Sequence, residues 1–131
     1  MTIYGVGAFH NEDVSSDFIA KNLVGVGWDQ NDAPDLHQFV RSLKVGDIVY
    51  IKAAPPGHRI TVKAIGIVGD NQIIDHSSSG GTVHCGRNVR WCSTMSFQLP
   101  PRSGKNNVQN NTLYEEFDPV AQKEIIDRII R

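Results

Sequence analysis

The stretch that decides the fold is Asp32-Ala33-Pro34-Asp35-Leu36-His37-Gln38-Phe39-Val40-Arg41-Ser42-Leu43-Lys44-Val45-Gly46-Asp47-Ile48-Val49-Tyr50-Ile51-Lys52. Asp32 followed by Pro34 signals a helix start, because a carboxylate can take an orphan backbone N–H and proline has none to lose. Leu36, Phe39, Val40 and Leu43 recur at i, i+3, i+4 and i+7, which puts them on one face of an α-helix. Lys44 falls in the last turn and Gly46 just beyond it, a common stop. The run from Asp47 to Lys52 is apolar and β-branched, and predicts a buried strand. An amphipathic helix therefore feeds directly into a core strand.

Working outward, Ile3 to Phe9 reads as a first strand, closed by His10-Asn11-Glu12-Asp13. Ser15 or Ser16 can cap a short helix over residues 17–22, and Val24 to Trp28 reads as a second strand. Its glycines at 25 and 27 signal close backbone approach. Beyond the central stretch, Pro55-Pro56-Gly57 is a turn. Ile60 to Val68 is a long strand with Gly66 at a bulge, and Gln72 to Asp75 resumes after a break. Residues 76–81 are Ser/Gly-rich and read as a loop. Asn88 to Ser93 and Phe97 to Leu99 follow as strands. Residues 100–111 are polar and Asn-rich, which predicts a flexible surface loop. A last helix over 118–131 has Asp118 as N-cap and Pro119 at its first position, with Ile125, Ile126, Ile129 and Ile130 as its buried face. About six short strands and three helices, with neither βαβ alternation nor internal repeats, predict an α+β fold: one domain over 1–131, a small, strongly curved sheet or barrel with peripheral helices.

Composition agrees. A chain of 131 residues with 40% apolar and 21% charged residues can bury a core without metals or disulfides. Net charge is −1, so there is no global positive field to grip a long nucleic-acid backbone. No segment has the length of a membrane span. The first residues lack a signal-peptide pattern, and two cysteines make no disulfide framework. The expectation is a cytoplasmic protein with reduced thiols.

Few residues point to chemistry. Cys85 beside His84 is the nearest nucleophile–base pair, but strand neighbours face opposite sides. Neither a G-x-S-x-G nor a P-loop occurs. His76, His84, Cys85 and Cys92 lie close in sequence but lack zinc-ligand spacing. The expectation is thus no catalytic residue, no metal and no cofactor. Trp91 in mid-strand reads as core. Trp28 differs, because Gly25, Gly27, Asp29 and Gln30 around it are loop-like or polar. A ring at a strand end beside a carboxylate suits a planar ligand, with stacking on the ring and Asp29 accepting from an exocyclic amine. Arg59, Arg87 and Arg90 are candidates for phosphates flanking a nucleotide, and Lys52 can point toward the same mouth.

The order of these motifs resembles a known family. A first strand ends in Gly7-Ala8-Phe9, and residues 18–24 run into Gly25-Val26-Gly27-Trp28-Asp29. A helix, Lys44-Val45-Gly46-Asp47-Ile48-Val49, Ala64-Ile65-Gly66-Ile67-Val68 and Asn88-Val89-Arg90-Trp91 follow. The series resembles the EVE-like branch of the PUA superfamily, and is similar to the modified-base-reading domains of modification-dependent restriction systems. The resemblance implies a PUA-like pseudo-barrel with a pocket for a base turned out of its duplex, lined by Phe9, Trp28, Asp29 and Lys52. It implies a nucleic acid or nucleotide with a modified base as ligand, and a separately encoded nuclease or other effector as a partner. Two rival readings use the same pocket: a nucleotide sensor or sponge, and a hydrolase of the ASCH type. The last needs a Lys, Glu or Thr set converging in the pocket; Lys52 is present, and the sequence places no glutamate at a strand position near it.

Overall fold

The computed structural model describes residues 2–53, 59–101 and 112–130. The expected turn at 55–57 and nearly all of the expected loop at 100–111 lie outside the described residues. The elements run β1 (Ile3–Gly7), α1 (Ser15–Lys21), β2 (Leu23–Val26), α2 (Pro34–Ser42), β3 (Ile48–Ala53), β4 (Thr61–Val68), β5 (Ile74–Asp75), β6 (Cys85–Ser93), β7 (Phe97–Gln98), β8 (Leu113–Glu115) and α3 (Pro119–Ile129). The strands form one mixed sheet ordered β2-β6-β4-β3-β1-β8, with β5 paired to β6 and β7 to β4. Among the described residues, only β1 and β3 run parallel. The sheet curls strongly into a half-barrel, so the fold is α+β, with three helices among the described residues. Among the described residues, no helix is long and apolar enough to cross a membrane.

The predicted central strand is β3, and it is buried on both faces. Val49 and Ile51 join the cluster inside the curl, with Val6, Ala8, Val24, Val26, Ala64 and Val89. Ile48 and Tyr50 join a second cluster outside it, with Ile65, Tyr114 and the α3 residues Ala121 and Ile125. Strand alternation sends successive side chains to opposite faces, so a strand with a core on each side needs an unbroken apolar run. Two irregularities bend the sheet. Between Ile51 and Lys52 the register to β4 skips Lys63, and between Ile65 and Gly66 the register to β6 skips Cys92. The second falls at the glycine where the sequence predicts a bulge.

Two sequence expectations are corrected. Ile126 and Ile130 are exposed; the face of α3 toward the sheet is Ala121, Ile125 and Ile129, spaced at i, i+4 and i+8, and the other two isoleucines lie about 100° around the helix. Arg87 is the larger correction. It is 1% exposed and does not face phosphates. Its guanidinium donates to the carbonyls of Val40 (3.1 Å), Leu43 and Arg41, and to the carbonyl of Asp70 at 2.8 Å. Three of these carbonyls belong to the C-terminal end of α2, where oxygens have no partner within the helix and a cation opposes the helix dipole. Arg87→Met should therefore destabilise the fold by about 3 kcal/mol, since it strands buried acceptors. Urea unfolding reads this; a loss within about 0.5 kcal/mol, as at a surface position, would contradict the capping role.

Candidate functional site

The ends of β1 and β2 meet, and the meeting point is a histidine against a glycine. A Cβ on Gly27 would lie 2.7 Å from Cγ of His10, so a glycine lets the ring approach this closely. The His10 ring also makes an edge contact with the buried Phe18, at 5.7 Å between centroids. Its Nδ1 lies 3.1 Å from the Thr82 carbonyl oxygen; a carbonyl only accepts, so Nδ1 carries the proton. Burial pushes the pKa of this imidazole below its ordinary value, against the Thr82 contact that raises it. Phe9 precedes His10 and is 73% exposed, and Trp28 follows Gly27 and is 54% exposed. Two exposed rings thus flank one close contact in the chain.

Trp28 sits on a fixed backbone. Its carbonyl accepts from Nε2 of His37 at 2.6 Å, and His37 is buried. Oδ1 of Asp29 accepts from the Asn31 amide at 2.9 Å, and the Asp29 carbonyl accepts from Asp32 and Ala33. Asp29 therefore turns the chain into α2, the role the sequence suggests for Asp32, and its carboxylate is exposed beside Trp28. On the other side, Phe9 bridges to Asp13. Asp13 accepts from Ser15 through backbone and hydroxyl, at 2.9 and 2.6 Å, and pairs with Lys63 at 2.9 Å. Lys63 is the residue that the β3–β4 register skips. The Ser15 hydroxyl and the Lys63 ammonium, with the Ser15 amide, hold the Asp13 carboxyl down at about 2.

A third wall is the segment between β5 and β6. The His84 amide donates to the Val26 carbonyl at 2.9 Å, and the His84 ring stacks on His76 at 4.4 Å and 28°. Lys21 of α1 donates to the Ser79 carbonyl at 2.8 Å and to Oγ1 of Thr82 at 2.6 Å. Among the described residues, no three His, Cys, Asp or Glu side chains converge on a metal position.

The remaining candidates are dispersed. Lys52 is buried, beside Gly7, and its ammonium lies 5.3 Å from the Tyr114 ring centroid. That tyrosine shares a buried network, with Tyr50 Oη 2.6 Å from Tyr114 Oη and 2.5 Å from Oε1 of Glu116. The glutamate that the sequence does not place near Lys52 thus comes from beyond β8 and accepts from Tyr50, the neighbour of Tyr114. Arg59 is exposed and donates its Nε to the Leu99 carbonyl at 2.8 Å. Arg90 is exposed on β6. Sequence reasoning also passes over His10 and His37. Their signals are present: His10 directly follows a strand-end aromatic, and His37 stands one turn before Val40, on the edge of the apolar stripe.

Two outcomes follow from this geometry. His37→Ala should cost about 1–3 kcal/mol through the orphaned carbonyl and lower the fluorescence anisotropy of Trp28; an unchanged anisotropy would show that the turn holds itself. Asp13 has a depressed folded pKa, so its contribution to stability is present above the unfolded value of 3.8 and fades as pH falls through about 2. Asp13→Asn should thus be less stable than wild type at pH 7, with most of that gap lost by pH 2. A gap as large at pH 2 as at pH 7 would exclude the carboxylate charge as its source.

No curated protein matches the chain. One family model does, over residues 29–116, and it carries the description "Domain of unknown function (DUF8426)". The matched segment begins at Asp29 and takes in α2, the central strands, Arg87 and β8, whereas Phe9 and Trp28 lie ahead of it. With about two thirds of its length inside that match, the chain belongs to the family described as Domain of unknown function (DUF8426).

Proposed function

We propose that the chain is a PUA-like, EVE-like pseudo-barrel and a non-enzymatic binding module that stacks a base, modified or not, between or against Phe9 and Trp28. The observation that carries this reading is the pair of exposed rings on either side of the His10–Gly27 contact. Single exposed apolar residues are ordinary on a protein surface. These two are the chain neighbours of the His10 and Gly27 that meet, and one stands on a backbone pinned by a buried histidine. Preorganisation of this kind cuts the entropy that binding must overcome. Stacking on an aromatic is worth about 1–3 kcal/mol per base, and extruding a base from a duplex costs a few kcal/mol. Two rings plus edge hydrogen bonds, with the Asp29 carboxylate as acceptor, can exceed that cost. The EVE-like assignment rests on the order of the sequence motifs, and a curled mixed sheet with peripheral helices accommodates it.

The burial of Arg87 favours a second reading, a free nucleotide in the same place. Net charge is −1, and of the three arginines expected at phosphates Arg87 is spent on carbonyls and Arg59 is engaged with Leu99, which disfavours tracking of a long backbone.

A titration panel separates these. Nucleosides and nucleotides, modified and unmodified, and short DNA and RNA carrying the same bases are titrated into wild type, Trp28→Ala and Phe9→Ala. Both variants should keep the wild-type circular dichroism and lose at least about tenfold in affinity, the weight of one stacking contact. An oligonucleotide-bound state should show affinity falling steeply with salt, and a free-nucleotide site only shallowly. Trp28→Ala that folds and binds as tightly as wild type would sink the stacking site.

A further inference from the structure

The segment between β5 and β6 carries a group of donors that the stacking rings do not use. Gly80 and Gly81 both have positive φ, 66° and 89°, conformations that side chains disfavour. The space that their missing side chains leave is bordered by donors. A Cβ on Gly80 would lie 3.3 Å from Nζ of Lys21, and one on Gly81 would lie 3.6 Å from Nε2 of His76. An ammonium and an imidazole therefore each border one of two consecutive residues without side chains. The His76 ring is backed by His84 at 4.4 Å. Oγ1 of Thr82 accepts from Lys21, which leaves its own proton to be donated. Asp75, on the same segment, is turned to the Ser78 amide at 2.7 Å. The loop is rigidly hung: His10 holds the Thr82 carbonyl, Ser79 is buried between the Val83 amide and carbonyl, and Val26 holds the His84 amide. Val26 is two residues before Trp28, so the loop is suspended from the same strand end as the exposed ring.

We propose that Lys21, His76, His84 and Thr82, gathered around Gly80-Gly81, form a phosphate subsite for the nucleotide whose base stacks at Trp28 and Phe9. Two glycines let a tetrahedral anion approach the loop, Lys21 supplies the fixed charge, and the imidazoles and hydroxyl supply directed N–H and O–H donors. The identity of the ligand rests on the stacking reading; the anion site itself does not.

The test uses inorganic phosphate first. The histidine ring signals of the full chain are followed by NMR as phosphate replaces chloride at constant ionic strength. His76 and His84 should shift saturably, while the buried His37 stays still. The response should vanish in Lys21→Met and in His76→Phe, the latter keeping an aromatic ring against His84 so that the loop stays folded. The absence of a saturable shift, or an equal one with chloride, overturns the subsite. Nucleosides and their 5′-monophosphates are then compared in wild type and His76→Phe. The monophosphate should bind about tenfold more tightly than its nucleoside, as one charge-assisted contact provides, and His76→Phe should lose that advantage. Saturable phosphate binding with no response of Trp28 to any nucleotide would keep the anion site and remove the stacking reading. Nucleosides and monophosphates that bind equally would remove the subsite and keep the stacking.

Discussion

The structure depends on one buried cation. Arg87 enters from β6 and gives its guanidinium to the carbonyls that end α2 and to the Asp70 carbonyl. Withdrawing such a group from water costs several kcal/mol, and only good hydrogen-bond geometry offsets it. Here the offset comes from oxygens that would otherwise be orphans. The consequence reaches well beyond the cap. With its C-terminal end fixed to β6, α2 places His37 where it can take the Trp28 carbonyl, and the Asp29 turn then leads the chain from the exposed ring into the helix. A capping contact at one end of the helix thus sets the presentation of a surface aromatic at the other.

The sheet beneath is held by two cores. Inside the curl, Phe18 of α1 plugs the space under the β1–β2 junction, and its contact with His10 joins that core to the site. Outside, α3 covers Tyr50 and Tyr114, whose hydroxyls meet each other, and the Tyr50 hydroxyl donates to Glu116. Burial, with the neighbouring Tyr114 and Glu116, pushes the Tyr50 hydroxyl far above its ordinary range, so it stays protonated as a donor. Glu116 also takes the Asp118 amide at 3.1 Å, and Asp118 caps α3 through the Val120 amide at 2.9 Å. The polar network is thereby continuous with the start of the helix that covers it.

Much of this was legible in the residues. The apolar run from Asp47 to Lys52 reported a buried strand, and the stripe through Leu36, Phe39, Val40 and Leu43 reported the helix before it. Gly27 signalled close approach without naming the ring that approaches. What escaped did so for physical reasons. A lone arginine in a mostly polar segment looks like a solvated charge, and only the fold reveals that Arg87 meets a helix terminus more than 40 residues away in sequence. β8 is three residues long and pairs with β1 across the whole chain, so no local period announces it. Lys52 alternates onto the Tyr114 side of its strand, and a bulge inferred from Gly66 gave no hint of the one that frees Lys63. Ile126 and Ile130 continue the isoleucine pattern in sequence but not around the helix.

The central claim is that a base stacks on the exposed ring at the β1–β2 junction. The chain has two tryptophans: Trp28 at that junction, and Trp91 packed against the inner core. Their indole N–H resonances, followed by NMR while nucleotides and short oligonucleotides are added, test the claim most directly. The account predicts that a binding ligand shifts the Trp28 signal upfield by ring stacking and leaves Trp91 where it was. A bound ligand that moves Trp91, or that leaves both signals unmoved, would contradict it.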